Sequence, residues 1–320
     1  MQNQELLLAQ IRKNQSQKES INDEIAAILN ISYDAAHRRV SGKSKFSIDE
    51  TVQLAAHYNI SLDNLFLKND NIIVKKTIEI SSLKDLLQYF KNSAIQIEQL
   101  TSKPNLVLYY SAKDIPLFYF MDGTIISKFK AFVWLKLLNP EVSELKFEDF
   151  VIDELFLEHT SKLKKAYENV TVKEVWNDTT INSSLQQIIY YYESELFSFN
   201  SANALFKDLK RIILAIKDKT NQQNTRFSIY YNELVLLNNN LLFESEKQNT
   251  LFVPYTLLGY FITENQETCH NVRQWFNQQI ANSKPLNVSG IKDQNLFFNK
   301  AIRKIDYHIE LLKNQVDLFF

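Results

Sequence analysis

A chain of 320 residues with 45% hydrophobic and 12% aromatic content has enough apolar surface for a folded globular protein, and its length suggests two domains. Thirty-six basic residues stand against 37 acidic ones, so the net charge of −1 excludes a uniformly basic or acidic partner-binding chain and leaves only local charge to interpret. Four glycines argue against a phosphate-cradling loop, and one cysteine, Cys269, excludes an internal disulfide and fits a reducing compartment.

Met1 to Gln17 is an expected amphipathic helix with Leu6, Leu7, Ala9, Gln10 and Ile11 on or near its buried side. MQNQELLLAQ lacks the basic segment and apolar run of a signal peptide, so a cytoplasmic location is expected. From Ser20 to Lys45 the pattern is two short helices joined by a tight turn. Ser20 caps the first, with Asp23 three residues on in a capping box, and Ile25, Ala26, Ile28 and Leu29 follow at helical spacing. Asn30 tolerates the left-handed turn, Ile31 plugs it, and Ser32 caps the second helix. In that helix only Ala35, Ala36 and Val40 are apolar, and Gly42 ends it. Between Ala35 and Ile48 there are Arg38, Arg39, Lys43 and Lys45 and no acid. A second capping box, Ser47 to Glu50, opens another helix, and Ser61-Leu62-Asp63 starts a short last one.

The run A-x-x-x-N-I-S-Y-x-x-A-x-R from Ala26 to Arg38 resembles the lac-repressor and lambda-repressor/Cro-like helix-turn-helix families. Asn30 stands in place of the usual glycine, Ala36 in place of a valine or isoleucine, and Arg39 where an apolar residue is common. With the helices after it, residues 1–68 resemble a five-helix lambda-repressor-like domain. The resemblance implies a recognition helix, 32–41, in the major groove of double-stranded DNA. Tyr33, Asp34, His37 and Arg38 are then placed for base edges, and Ser32, Lys43 and Lys45 for phosphates; Arg39 serves either role or pairs with an acid. The alternative is a protein-interaction module, antitoxin-like or phage-derived, whose helix-turn-helix does not read DNA.

Asn69-Asp70-Asn71 is polar punctuation, and 72–320 is expected to be a larger, helix-dominated α+β region, with a sub-boundary near 223. The overall class is therefore mainly α with some β. Ile72 to Ile80 is a strand or an extended linker; Ser82 to Thr101 is helical; Leu106 to Ser111 is a buried strand; and a strong helix follows Gly123. SAKDIPLFYF followed by FKAFVWLK resembles bacterial regulators that put a helix-turn-helix in front of a long, mostly helical C-terminal region. Further helices are expected at 153–169, 180–197, 201–222, 267–281 and 293–319. Residues 172–176 are expected to be extended, 226–237 and 240–243 to be strands about an Asn238-Asn239-Asn240 turn, and 251–263 a single strand.

Catalytic and cofactor signatures are not found. Tyr109 and Lys113 share the spacing of the short-chain dehydrogenase pair, but no glycine-rich turn accompanies them to hold a dinucleotide. The five histidines are scattered and form no metal-ligand spacing. No enzyme activity, metal or cofactor is expected. The most apolar window, Ile115 to Leu138, is interrupted by Asp122, Lys128, Lys130 and Lys136, so no membrane partner is expected either. A homodimer is expected, because operators are usually bound by pairs of such domains. Residues 1–67 show no spare apolar stripe, which directs the dimer surface to 72–320. The row Phe297, Phe298, Ile302, Ile305, Ile309 and Leu312 is the expected surface. Tyr109, Tyr110, Phe118, Tyr119, Phe120, Phe129, Phe132 and Trp134 either fill the core or line a pocket for a small-molecule or peptide effector.

Overall fold

In the computed structural model the chain divides into two compact units, Met1–Ile73 and Val74–Phe320. The structure describes residues 3–15, 20–66, 72–139, 142, 144–221, 226–234, 238–246, 248–288 and 290–317. The expected punctuation at 69–71, the sub-boundary near 223, the 235–237 end of an expected strand and residues 318–319 of the expected last helix lie outside the described residues.

Among its described residues the first unit has five helices: α1 (Asn3–Asn14), α2 (Ile21–Leu29), α3 (Tyr33–Val40), α4 (Ile48–His57) and α5 (Leu62–Phe66). Local chemistry accounts for most of their ends. Ser20 and Ser32 each accept the backbone N–H three residues on, at 3.3 Å. The Ser20 hydroxyl also donates to the Asp23 carboxylate. Ser47 and Glu50 close a full capping box over α4. The tripeptide Asn-Ile-Ser is used twice to leave one helix and start the next. Asn30 and Asn59 both adopt left-handed backbone, at φ 51° and 53°. The following isoleucines donate to carbonyls five residues back, Ile31 to Ala26 at 3.0 Å and Ile60 to Ala55 at 2.8 Å. This is the bonding of a Schellman motif, with asparagine supplying the left-handed residue. Leu7, Leu8, Ile11, Ile25, Leu29, Ala36, Leu54 and Tyr58 form the core. Leu8, rather than Leu6, faces it fully from α1. One expectation is corrected here: Ile48 and Val52, one turn apart on α4, are 84% and 51% exposed, so this unit does carry an uncovered apolar pair.

The described residues of the second unit are built on an eight-stranded sheet, in the order β1-β7-β6-β5-β2-β3-β4-β8. In chain order its elements are β1 (Lys75–Lys76), α6 (Leu83–Thr101), β2 (Val107–Ala112), a 3-10 turn (Leu117–Phe120), α7 (Ile125–Leu138), α8 (Glu154–Glu168) and β3 (Thr171–Trp176). They continue with α9 (Asn182–Glu193), α10 (Phe199–Asn221), β4 (Phe227–Tyr231), β5 (Leu241–Glu244), β6 (Asn249–Pro254), β7 (Tyr260–Thr263), α11 (Gln266–Ala281), β8 (Lys284–Pro285) and α12 (Ile291–Asp317). β2, β3 and β4 run parallel, as the intervening helix pairs allow, and the other pairings are antiparallel.

Strand alternation separates two cores. Leu108, Tyr110, Val172, Trp176 and Phe243 face the large core shared with α6, α7, α8, α9, α10 and α12. Tyr109, Leu242 and Leu251 face a small one with Cys269 and Phe276 of α11. Several expectations change. β4 and β5 do not pair about the asparagine run: β4 lies between β3 and β8, and β5 between β2 and β6. Residues 251–263 supply two antiparallel strands, closed where Tyr255 donates to Gly259 at 3.0 Å. The α12 row proposed for dimer contact is used inside the unit. Phe297, Phe298, Ile305 and Leu312 are buried, with Ile302 and Ile309 packed against the same core. Among the described residues no helix is long and apolar enough to cross a membrane.

Candidate nucleic-acid interface

α3 is a short helix with one fully buried side chain, Ala36, and that small residue lets it lie close on α2. Val40 is partly buried against the same core, Arg39 turns toward α4, and the other large side chains project outward. Ser32, Tyr33, Asp34, His37 and Arg38 are exposed on the helix, and Lys43 and Lys45 in the loop after it. Among the described residues Arg38, Lys43 and Lys45 form no ion pair. Tyr33 stacks on His37 with ring centroids 6.5 Å apart and 14° between planes, and its hydroxyl accepts from Asn22 of α2 at 3.2 Å. The aromatic pair is thus held at the start of the exposed face.

Arg39 is different. Its guanidinium grips Glu50 of α4 with two bonds, Nε to Oε2 at 3.0 Å and Nη2 to Oε1 at 2.6 Å. Its remaining Nη1 donates to the Ala35 carbonyl at 3.1 Å. Of the alternatives open to Arg39 the structure takes the acid partner, so the residue is withdrawn from base or phosphate contact. Glu50 also accepts the Ser47 N–H at 2.9 Å, so one carboxylate caps α4 and ties it to α3. Hydrogen bonding from Arg39 holds its carboxyl below the usual range, burial opposing.

The loop carrying the two lysines is fixed from α1. Gln4 donates through Nε2 to the Arg39 carbonyl at 2.7 Å and the Ser44 carbonyl at 2.9 Å. Its Oε1 accepts the Phe46 N–H at 3.1 Å. Gly42, at φ +76°, turns the chain out of α3, a conformation that L side chains rarely adopt. Elsewhere in the unit Tyr58 donates to Glu24 at 2.7 Å, closing α4 on α2.

The sequence marks Glu50 as a cap but not as the partner of Arg39, and it does not mark Gln4 at all. Glu50 carried a signal, the capping box, but its tie to Arg39 depends on the packing of two helices. Gln4 carried none, because a glutamine near the chain start is unremarkable until the loop folds onto it.

The arrangement presents an exposed helix with mixed donors and acceptors, flanked by lysines that no acid pairs with among the described residues. That chemistry matches base edges along the helix and phosphates beside it. Among the described residues no group of three histidines, cysteines or acids is placed to hold a metal ion. A family model described as the BetR domain, a helix-turn-helix type domain of bacterial regulators, matches residues 3–105. The span covers the five helices of the first unit and continues through β1 and α6 of the second. No curated protein and no solved structure matches the chain.

Proposed function

We propose that this chain is a cytoplasmic, sequence-specific DNA-binding transcriptional regulator of the lambda-repressor-like kind, acting without catalysis. The observation that carries the reading is the exposed, acid-poor face of α3 and its loop, with Arg38, Lys43 and Lys45 unpaired and Arg39 diverted into the scaffold. α3 enters the major groove. Tyr33, Asp34, His37 and Arg38 meet base edges, while Ser32, Lys43 and Lys45 meet phosphates. The match of residues 3–105 to a domain of bacterial regulators supports the same reading.

A homodimer is part of the proposal, since two half-sites double the few base contacts one domain of this size makes. The α12 row is internal and is not its surface, whereas Ile48 and Val52 are exposed. The larger unit is proposed to serve dimerisation and effector sensing.

Binding to a randomised duplex pool, followed by selection, tests the reading. Arg38→Ala is expected to cost about 1–3 kcal/mol and relax preference at one base pair. Lys43→Ala is expected to weaken binding to all sequences and flatten the salt dependence by about one unit. If the intact protein retains no duplex at low salt, or if neither variant changes retention, the DNA reading fails. The interaction-module alternative then stands.

A further inference from the structure

The larger unit holds a buried acid that DNA recognition leaves without a role. Glu174 sits in the middle of β3, in register with Tyr110 of β2 and Ile229 of β4, and is fully buried. Its carboxylate accepts from Trp176 Nε1 at 2.6 Å, from the Tyr119 hydroxyl at 3.0 Å and from the Tyr167 hydroxyl. Burial pushes its pKa up to about 7, against the pull of Trp176, Tyr119 and Lys219. An aliphatic residue would pack this site at lower cost, so the acid does something besides packing. It orients two tyrosines, turning their hydroxyls inward and their rings toward a cavity.

That cavity, of about 150 Å³, lies between the 3-10 turn, α8 and α10. Its aromatic wall is Phe118 stacked on Tyr167, at 4.5 Å and 8°, with Tyr119 edge-on to Tyr167 at 5.9 Å. Ile212, Ala215 and Ile216 of α10 form the apolar wall opposite. At the rim, charges are mostly matched. Lys164 bridges Asp122 and Glu168, while Arg211 bonds Asp208 at 2.7 Å and reaches Asp122 at 3.7 Å. Lys219 is the exception. It is half-buried on the cavity face of α10, with its ammonium 4.3 Å from the Phe227 ring centre and 5.6 Å from that of Tyr167. Among the described residues it makes no ion pair. Burial lowers its pKa, and Glu174 and Glu168 only partly restore it. A desolvated ammonium that no carboxylate contacts as an ion pair among the described residues, on the wall of an aromatic cavity, is the complement of a ligand anion.

The geometry points to a small-molecule site in this cavity that takes a monocarboxylate with a flat apolar body of about one aromatic ring. The ligand carboxylate meets Lys219, and the ring lies between Tyr167 and the Ile212–Ile216 wall. A cavity of this order holds a molecule of benzene's size. Asp122 and Glu168 at the rim are already paired with Lys164 and Arg211, so Lys219 is the cation left for the ligand carboxylate, and it repels an amine. The use of the site as an effector site rests on the DNA-binding reading above; ligand binding itself does not.

The test uses the full-length protein without DNA, and benzoate, benzamide and benzylamine as probes. Ligand-observed saturation-transfer NMR gives affinities, and thermal shift gives a second readout. Benzoate is expected to bind and raise the melting temperature, with benzamide and benzylamine at least about tenfold weaker. Lys219→Met is expected to weaken benzoate about tenfold or more and bring it level with benzamide. Ala215→Trp, which fills the cavity from the α10 wall, should abolish binding of all three. It keeps the proposal testable should Lys219→Met fail to fold. The proposal is overturned if benzoate does not bind, if benzylamine binds as well as benzoate, or if Ala215→Trp retains benzoate affinity. Since no DNA enters the assay, loss of the DNA-binding reading would leave these results standing.

Discussion

Replacing Glu50 by alanine removes three contacts at once: both bonds from Arg39 and the N–H of Ser47. The pair is neither a surface ion pair nor a core one, with side-chain exposures of 22% and 17%. Exposed pairs contribute about 0–1 kcal/mol and breaking a buried pair costs about 3–5, so a two-bonded pair at this depth falls near 1.5 kcal/mol. Loss of half the capping box adds about 0.5 kcal/mol. The total, about 2 kcal/mol, should appear as local opening of α3 and the start of α4. Amide hydrogen exchange on the full chain at neutral pH is the assay, and about 2 kcal/mol corresponds to roughly thirtyfold faster exchange. Arg39→Ala should give a similar figure, and the double variant little more than either single one. Because Arg39 depresses the Glu50 pKa, the contribution is fully present above the ordinary carboxylate value and is lost as pH falls through the lower folded value. Exchange in α3 that speeds up by less than about threefold would refute the argument that this pair holds the recognition helix.

Three other outcomes follow from single contacts. Asn30→Ala should destabilise the first unit by about 1 kcal/mol, whereas Asn30→Gly should be near neutral, since φ 51° penalises a Cβ without a compensating side chain; chemical denaturation compares them. Gln4→Ala should accelerate exchange in residues 41–46 and reduce DNA affinity without altering the selected sequence, because it loosens only the lysine loop. Glu174→Gln should flatten the pH dependence of the larger unit. The raised pKa makes this group's contribution greatest below the ordinary carboxylate value, and it is lost as pH rises toward and through about 7. Melting temperatures across that range should therefore fall in the wild type and stay level in the variant.

The short-range features of this chain were legible in the residues. Serine caps, the left-handed Asn30, the terminating Gly42 and the second capping box are decided within four residues, and the bonds form where the spacing places them. The exposed set on α3 was legible for the same reason, since a helix with only small apolar residues has little to bury. Helices and strands of the larger unit were mostly visible, and the mainly α class with them.

What sequence periodicity could not decide is which face meets which partner. The α12 row has the spacing of an interface, but periodicity does not distinguish an interface with a second copy from one with α10, and the fold uses it for α10. The asparagine run between β4 and β5 has turn chemistry, yet strand order depends on where helices cross, and β2 and β3 come between. Residues 251–263 offered one apolar run, and only pairing across the sheet divides it at Gly259. The fate of Arg39 turns on a carboxylate eleven residues away on another helix, and that of Glu174 on tyrosines brought from the 3-10 turn and from α8. Backbone bonding and capping are local energies, so the sequence by itself determined the helix ends where a capping residue or a left-handed asparagine stands. Burial and charge pairing are properties of a neighbourhood that exists only after folding, so tertiary structure alone decided which side chains were left free to act.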